Sequence, residues 1–360
     1  PFTRSFRRLE TAGIPIAAAI RGAALGGALE LALACHGRIL TDQPETVLAL
    51  PEVGLGMFPA GGGSQRLPRL VAPEIALPIL LDQSHLTAAE AVTLGLAERV
   101  VPEGQEVAAA LAWLQGGPDP RQPWDRPGYK PPDMAAVRRL TAPLRSGRAA
   151  LSPCVGATLD AVDQGLGLEM SAANAVEVAG LFQLMQRPEP HAMLATGFHG
   201  RSAWLKAKRA GPLPVWVAEM IRDTTGALRA EIGLVGQDIA DMAMELSGFT
   251  KPHKAAEPTR DPTSGQSAGP PLPPGRIPAG PGILGDPEPG WQAVAVRLLA
   301  VMARAAWAQA SELTAQDRRL ADYCLQRELG LPAWSGGPLW LAENMGEIWA
   351  RRMAPGPTLI

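Results

Sequence analysis

The first hundred residues alternate short apolar runs with segments of helical periodicity. Residues 15–20 form an apolar run between two glycines, which predicts a buried strand. Further apolar runs predict further strands, over 38–40, 46–50 and 97–101. Periodicity and glycine- or Thr-x-x-Glu-type starts predict helices over 26–35, 61–67, 73–81 and 91–94. Because strands and helices alternate, an α/β class is favoured for residues 1–104.

Beyond this part the pattern is helical, apart from one segment that lacks periodicity. Over 250–290 proline, glycine and serine dominate, which predicts a linker or extended loop. The C-terminal half is otherwise predicted to be all-α. We therefore predict five consecutive segments, namely the α/β part (1–104), a helical part that closes the first module and connects it onward (105–210), a first helical repeat (211–249), the linker (250–290) and a second helical repeat (291–360).

Composition and charge exclude several classes of protein. The 360 residues are 46% hydrophobic and 19% charged, which is a globular composition. A net charge of -2 gives no reason to expect a nucleic-acid partner. No apolar stretch is long and uninterrupted enough to predict a membrane span. Because the chain begins with Pro1 rather than Met, we expect a fragment or a processed product.

The cysteines predict a reducing environment. Cys35, Cys154 and Cys324 are too few and too scattered for a disulfide framework or a zinc site. We therefore expect free thiols, a cytoplasmic location and no metal centre.

A first candidate site lies where the predicted strand 15–20 runs into a turn of small residues and a helix. Free N–H groups at such a helix start can bind an anion or an oxyanion. Glu30 lies one turn inside this helix, and a carboxylate in so apolar a stretch is costly unless it is used or paired. The alternative interpretation is that the glycines only allow tight packing and that Glu30 is an exposed helix residue.

A second candidate site begins 22 residues later at Glu52, which we expect at the end of the strand 46–50. A glycine-rich helix start follows at 61–63. Two carboxylates beside turns rich in N–H groups suit the addition or removal of a proton and a hydroxyl next to a carbonyl. Gly54 and Gly56 are not a dinucleotide fingerprint, because the third glycine is missing at the required spacing.

Four consecutive motifs in residues 14–104 resemble the crotonase (enoyl-CoA hydratase/isomerase) superfamily. They are ALGGxxELAxxC (24–35), LPEVxLG (50–56), PxGGxxQRL (59–67) and LTAxEAxxLGLxxxVVP (86–102). The resemblance implies a crotonase-type ββα spiral, incomplete at its N-terminus. This chain departs from the family pattern at two positions. Arg21 stands where the family has Asn, and Ala28 stands where the family has the third glycine of a triplet.

The C-terminal half resembles the helical part of 3-hydroxyacyl-CoA dehydrogenase. The segment LPAWSGGPLW (331–340) is similar to its closing segment, and 214–249 is more weakly similar to the preceding helical repeat. The whole chain thus resembles a bifunctional β-oxidation enzyme that lacks the NAD-binding Rossmann domain. NAD is therefore not expected as a cofactor.

The resemblance implies specific roles for residues of the first part. Glu30 and Glu52 would be the catalytic pair and the Gly27 N–H would belong to the oxyanion hole, whose other donor, the first along the family's chain, is expected before Pro1. Residues implied to contact the substrate are Leu25, Gly26, Met57, Phe58, Pro59 and Gly61.

The implied activity is hydration of trans-2-enoyl-CoA in fatty acid β-oxidation. The implied partner is an acyl-CoA thioester, with coenzyme A only as part of the substrate and no metal or other cofactor required. The family also suggests a homo-oligomer or a thiolase partner. Two alternatives stay open: a Δ3-Δ2-enoyl-CoA isomerase, which needs only one carboxylate, and a non-catalytic remnant with a structural or interaction role.

Overall fold

The computed structural model describes residues 2–145, 152–235, 298–299, 301–303, 305–331 and 335–343. The described chain divides into two compact units, residues 2–186 and residues 187–343. The predicted linker 250–290 lies outside the described residues, as do residues 291–297 at the start of the predicted second helical repeat.

The first unit combines short strands with nine helices among its described residues. The strands are β1 (Ala17–Ile20), β2 (Ala24–Leu25), β3 (Gly37–Thr41), β4 (Val47–Ala49), β5 (Leu86–Thr87) and β6 (Arg99–Val101). The helices are α1 (Phe2–Glu10), α2 (Gly27–Ala34), α3 (Gly63–Leu70), α4 (Pro73–Asp82), α5 (Ala88–Thr93), α6 (Glu106–Gln115), α7 (Met134–Leu144), α8 (Pro153–Gly165) and α9 (Met170–Leu184). Two short 3-10 helices span Glu52–Leu55 and Pro123–Asp125. This α/β architecture confirms the predicted class.

Two three-stranded sheets organise the unit. One has the order β1-β3-β6 with all strands parallel, and the other pairs β4 with β2 in parallel and with β5 antiparallel. In the second sheet Leu25 is aligned with Ala49, and the Gly26 N–H donates to the Ala49 carbonyl over 2.9 Å. Because parallel strands end at the same edge, the start of α2 and the chain after β4 leave the sheet side by side.

The core is built from β3, β4 and one face of α2. All residues of both strands are buried, as expected for strands covered on both faces. In α2, Leu29 and Leu33 are 1% and 0% exposed. The sequence pattern also predicts Leu25 and Leu31 to turn inward, which is wrong, because they are 40% and 39% exposed. Leu31 lies two residues from both buried leucines, which at 3.6 residues per turn is the opposite helix face.

Two local expectations have different outcomes. The capping box before α5 is confirmed, because the Thr87 hydroxyl accepts from the Glu90 N–H and the Glu90 carboxylate accepts from the Thr87 N–H. Glu52 was expected to end a strand, but β4 already ends at Ala49 and Glu52 begins a 3-10 helix. Pro51 accounts for this, because its missing N–H and restricted φ end strand pairing.

The second unit is helical throughout its described residues. Its elements are α10 (Pro188–Met193), a π-helical segment (Leu194–Gly200), α11 (Arg201–Ala210), α12 (Val215–Val235) and α13 (Ala315–Leu329), with further helical residues at 298–299, 301–303, 305–307 and 338–343. Its core includes Ala203, Val217, Leu320 and Cys324. Throughout the described part of the chain, each helix is too short or too polar to cross a membrane.

The glycine-proline segment near the C-terminus packs against a buried carboxylate of α13. Asp322 accepts the N–H groups of Leu339 and Trp340 over 2.6 and 2.8 Å. A Cβ on Gly337, whose φ is +88°, would lie 2.6 Å from the Asp322 side chain. This part of the motif therefore has a structural role, whereas residues 332–334 lie outside the described part. The resemblance to the helical part of 3-hydroxyacyl-CoA dehydrogenase stays a prediction.

Candidate active site

Glu30 is held by the turn that precedes α3. Its side chain projects from α2, is 3% exposed, and its Oε1 accepts the N–H groups of Gly61 and Gly63 over 2.7 and 2.9 Å. Two convergent N–H donors fix the position of the carboxylate and favour its ionised form. Glu30 is therefore a buried carboxylate with a fixed orientation, and the alternative interpretation as an exposed helix residue is wrong.

The geometry of this turn requires glycine. Gly62 has a φ of +109°, and a Cβ there would lie 1.4 Å from Arg66 Nη1. A Cβ on Gly63 would lie 2.9 Å from Glu30 Oε1. Arg66 Nη1 donates to the Gly61 carbonyl over 3.0 Å and so fixes the turn from the side of α3.

Arg66 is anchored by an ion pair that the sequence analysis did not find. Arg66 Nε lies 2.6 Å from Glu10 Oε1, and both side chains are 0% exposed. Glu10 also binds Arg7, which in turn makes two 2.6 Å hydrogen bonds to Asp125. The charge of the buried guanidinium is therefore balanced by a carboxylate at the end of α1.

Glu52 reaches the same place from the chain that follows β4. It is 9% exposed, and a Cβ on Gly26 would lie 2.8 Å from Glu52 Oε1. The other oxygen, Oε2, is buried and has no hydrogen-bond partner among the described residues. Gly26, with a φ of +55°, therefore gives the Glu52 carboxyl the space to lie against the start of α2.

The pKa values of both carboxyl groups are raised by burial, but their other surroundings differ. Burial raises the pKa of Glu52 to about 8, and the charge of Glu30 adds to this rise. Burial also raises the pKa of Glu30, but the N–H groups of Gly63 and Gly61 and the charge of Arg66 oppose the rise. The ionised form of Glu30 is therefore stabilised by donors and a cation that Glu52 lacks, whereas Glu52 keeps its proton at neutral pH.

The start of α2 also presents a free N–H group. Gly27 is the first residue of the helix, so its N–H has no intrahelical acceptor. A Cβ on Gly27 would have no atom within 4 Å, which shows that the space beside it is open. The Gly26 N–H already donates to Ala49, whereas the Gly27 N–H can donate to an oxygen of a ligand here.

The other residues for which the resemblance implies substrate contact differ in their exposure to solvent. Phe58 is 2% exposed, Pro59 is buried and Met57 is half-buried. Leu25 is 40% exposed, next to the start of α2. The N–H of Gly61 is already bound to Glu30.

A further buried carboxyl group, which the sequence analysis missed, belongs to Glu177 on α9. It is 0% exposed, and its Oε1 accepts a 2.6 Å hydrogen bond from the Ser64 hydroxyl, one residue after Gly63. The signal was present, because Glu177 stands in the run AANAVEVAGL (172–181), as isolated among apolar residues as Glu30 is in its own helix. Across the described ranges, no group of three His, Cys, Asp or Glu residues is arranged to hold a metal ion.

Comparison with known proteins supports the crotonase resemblance for the first part of the chain. Residues 1–116 match the family model described as enoyl-CoA hydratase/isomerase. This match confirms that this part of the chain has the crotonase-superfamily sequence pattern, and it leaves the predicted fusion to a dehydrogenase untested.

Several solved structures are similar over part of their length. DspI from Pseudomonas aeruginosa is 33% identical, with 41% of this chain and 55% of DspI covered and a TM-score of 0.31. An enoyl-CoA hydratase from Mycobacterium avium subsp. paratuberculosis K-10 is 23% identical, with 56% and 68% covered and a TM-score of 0.39. A carnitinyl-CoA dehydratase from Mycobacterium avium 104 is 32% identical, with 39% and 59% covered and a TM-score of 0.27. The chain thus spans little more than half of the length of DspI.

Proposed function

We propose that this chain hydrates trans-2-enoyl-CoA thioesters, with Glu30 as the base and Glu52 as the acid. The observation that carries the proposal is the pair of buried carboxyl groups at the start of α2, of which one binds two N–H donors and the other keeps an unpartnered oxygen. The family match over residues 1–116 supports the acyl-CoA class of substrate.

The proposed reaction uses one carboxylate and one carboxyl group in a single addition. The Glu30 carboxylate takes a proton from water as the water oxygen bonds to Cβ of the enoyl group. The carbon–carbon double bond opens, and Cα takes the proton of the Glu52 carboxyl. A proton then passes from Glu30 to Glu52 through solvent, which restores both groups for the next turnover.

The Gly27 N–H supports the charge that develops on the substrate. As the hydroxyl adds, negative charge moves onto the thioester oxygen, and a backbone donor at a helix start stabilises it. The open space beside Gly27 is where the thioester would lie. The proposed addition uses hydrogen-bond donors and two carboxyl groups, and it invokes no further cofactor.

The competing isomerase needs one carboxylate to move a proton between two carbons of a 3-enoyl-CoA. The presence of two buried carboxyl groups favours hydration over isomerisation. The non-catalytic alternative predicts that neither thioester reacts.

The test is the hydration of crotonyl-CoA, followed by the loss of the ultraviolet absorbance of the enoyl thioester. Glu30→Gln and Glu52→Gln should each lower kcat by about 10²–10⁴-fold. Glu74→Gln, which changes an exposed residue of α4, is the matched control and should keep the wild-type rate. Wild-type rates in both site variants would refute the assignment, and conversion of a 3-enoyl-CoA without hydration would establish the isomerase.

A further inference from the structure

Glu177 has the properties of a group with a specific task. Its Oε1 binds Ser64 Oγ over 2.6 Å, while Oε2 is buried and has no hydrogen-bond partner among the described residues. A buried carboxyl group that is only partly satisfied costs stability, and an apolar side chain would fill the same space in α9 without this cost. The position therefore calls for an explanation beyond helix packing.

Ser64 connects this carboxyl group to the turn that holds Glu30. It follows Gly63, whose N–H binds Glu30 Oε1 over 2.9 Å. Its hydroxyl donates to Glu177 and accepts from Gln65 Nε2 over 3.1 Å, and its own N–H donates to the Pro59 carbonyl over 3.2 Å. A residue fixed on three sides limits the positions that the adjacent Gly63 N–H can take.

We infer that Glu177 is a positioning residue for Glu30: it binds Ser64 and thereby fixes the glycine turn whose N–H groups hold the Glu30 carboxylate. The inference rests on the proposed function, because it assigns Glu177 a role in the same site. Helix α9 thus supports the proposed site through the hydrogen bond of Glu177 to Ser64.

The charged groups near Glu177 belong to helices α2 and α3. The charged groups that act on it are Glu30 on α2 and Arg66 on α3, with Arg69 of α3 also close enough to interact. The charged side chains of the packed helix α8, Asp160 and Asp163, bind Arg145 instead.

The protonation state of Glu177 follows from these surroundings. Burial, with the charge of Glu30 adding to it, raises the pKa of Glu177 to about 8 against the opposing effects of the Ser64 hydroxyl, Arg66 and the Gly62 N–H. Glu177 is therefore uncharged at neutral pH, and it holds Ser64 without placing a second negative charge near Glu30.

Three variants separate positioning from simple packing. Ser64→Ala and Glu177→Ala each remove the hydrogen bond, whereas Glu177→Gln keeps a carbonyl oxygen that can accept from Ser64. The matched control is Thr141→Val, because the Thr141 hydroxyl is buried and donates over 2.9 Å to Asp163, a carboxylate away from the glycine turn. All four are made in the full chain and checked for folding by circular dichroism.

The kinetic readout is the hydration of crotonyl-CoA. A displaced catalytic group costs up to about a hundredfold in rate, so we expect Ser64→Ala and Glu177→Ala to lower kcat by about 10- to 100-fold with little change in KM. The double variant should lose no more than either single variant, because both changes break the same link. Glu177→Gln should stay within about threefold of wild type, as should Thr141→Val.

A second readout does not depend on activity. The Glu30 carboxyl can be titrated by carbon NMR in protein labelled at the glutamate side-chain carboxyl, with Glu30→Gln to assign the signal. Ser64→Ala and Glu177→Ala should raise the pKa of Glu30, because the carboxylate loses well-placed N–H donors. Because the pKa of Glu177 is raised to about 8, Glu177→Ala removes no negative charge from the neighbourhood of Glu30 at neutral pH.

The possible results of these experiments distinguish the positioning role of Glu177 from the proposed hydratase function. An unchanged Glu30 pKa in both Ser64→Ala and Glu177→Ala, or a loss of kcat no larger than in Thr141→Val, would overturn the positioning role. If Glu177→Ala does not fold, Ser64→Ala decides the question alone. If the wild-type chain hydrates no enoyl-CoA, the proposed function fails, while the NMR titration still decides whether Glu177 positions Glu30.

Discussion

Glu10 and Arg66 form a fully buried ion pair, 2.6 Å between carboxylate and guanidinium, next to the turn that holds Glu30. Arg66 also donates to the carbonyl of Gly61, the residue whose N–H binds Glu30. A charge pair at the end of α1 therefore fixes a backbone turn, and the turn fixes the proposed base.

Breaking this pair should destabilise the first unit. Glu10→Leu leaves the Arg66 charge buried without a partner, and we expect a loss of about 3–5 kcal/mol in the free energy of unfolding, measured by urea denaturation. Glu103→Leu is the control, because its ion pair with Arg21 is mostly exposed and should change the stability by less than about 1 kcal/mol. Equal stabilities of the two variants would show that the buried pair is not needed.

Hydration should depend on pH through Glu52. Its pKa of about 8 means that the acid is present below this pH and is lost above it, so kcat/KM should fall about tenfold per pH unit on the alkaline side. The residual rate of Glu52→Gln should lack this alkaline decline, because the titrating group is gone. An alkaline decline at the same pH in Glu52→Gln would assign it to another group.

The same titration should appear in the stability of the fold. Burial raises the pKa of Glu52 from the ordinary 4.5 to about 8, so between these values the folded chain keeps a proton that the unfolded chain has lost. Stability from this group is complete below the unfolded value and falls as pH rises towards about 8, by up to about 1.4 kcal/mol per pH unit.

Glu52→Gln removes this dependence. The stability of the variant relative to wild type should therefore increase between pH 5.5 and pH 8, as measured by urea unfolding at both values, by up to about 1.4 kcal/mol per pH unit. A difference that does not change with pH would contradict the raised pKa. Glu74→Gln, at an exposed position, serves as the control for the charge change alone.

The sequence predicted those parts of the structure that depend on residues close to one another in the chain. β1, α2 and α3 follow from an apolar run or a glycine-rich start, and Glu30 stood out as a carboxylate among apolar residues. Glu52 stood out for its place after a proline and before glycines, although the strand that was expected to end there is shorter.

The supporting partners could not be predicted, because they are distant in sequence. Ser64 and Glu177 are separated by 113 positions, and Arg66 and Glu10 by 56. Helix α1 was missed although a local signal exists, because Phe2, Phe6 and Leu9 have helical spacing among charged residues. Its terminal glutamate is buried only because tertiary packing brings Arg66 to it.

In the second unit, the buried Asp322 should stabilise the helical start at 338–343. It accepts the N–H groups of Leu339 and Trp340 over 2.6 and 2.8 Å, at the first turn of this segment. Asp322→Ala should therefore lower the stability of the chain by about 1–3 kcal/mol in urea unfolding and leave the kcat for crotonyl-CoA unchanged. Asp317→Ala, at the more exposed capping box of α13, should cost only about 1 kcal/mol. A variant as stable as wild type would show that the two N–H groups find other acceptors.

Gly26 and Gly27 are neighbours that should respond differently to the same substitution. Gly26 has a φ of +55°, and an added Cβ would lie 2.8 Å from Glu52 Oε1, so Gly26→Ala combines backbone strain with displacement of the proposed acid. We expect it to lower the stability by about 1–3 kcal/mol and kcat by at least about tenfold.

Gly27→Ala should instead leave the fold intact. The added methyl group meets no atom within 4 Å, and alanine favours a helix over glycine by about 1 kcal/mol. The methyl group would, however, enter the open space where the thioester is proposed to bind, so KM should rise while urea unfolding shows equal or greater stability. The two variants distinguish backbone strain from obstruction of the ligand. The added methyl group strains the backbone at Gly26, whereas at Gly27 it obstructs only the ligand. An unchanged KM in Gly27→Ala would place the thioester elsewhere and remove the Gly27 N–H from the proposed mechanism.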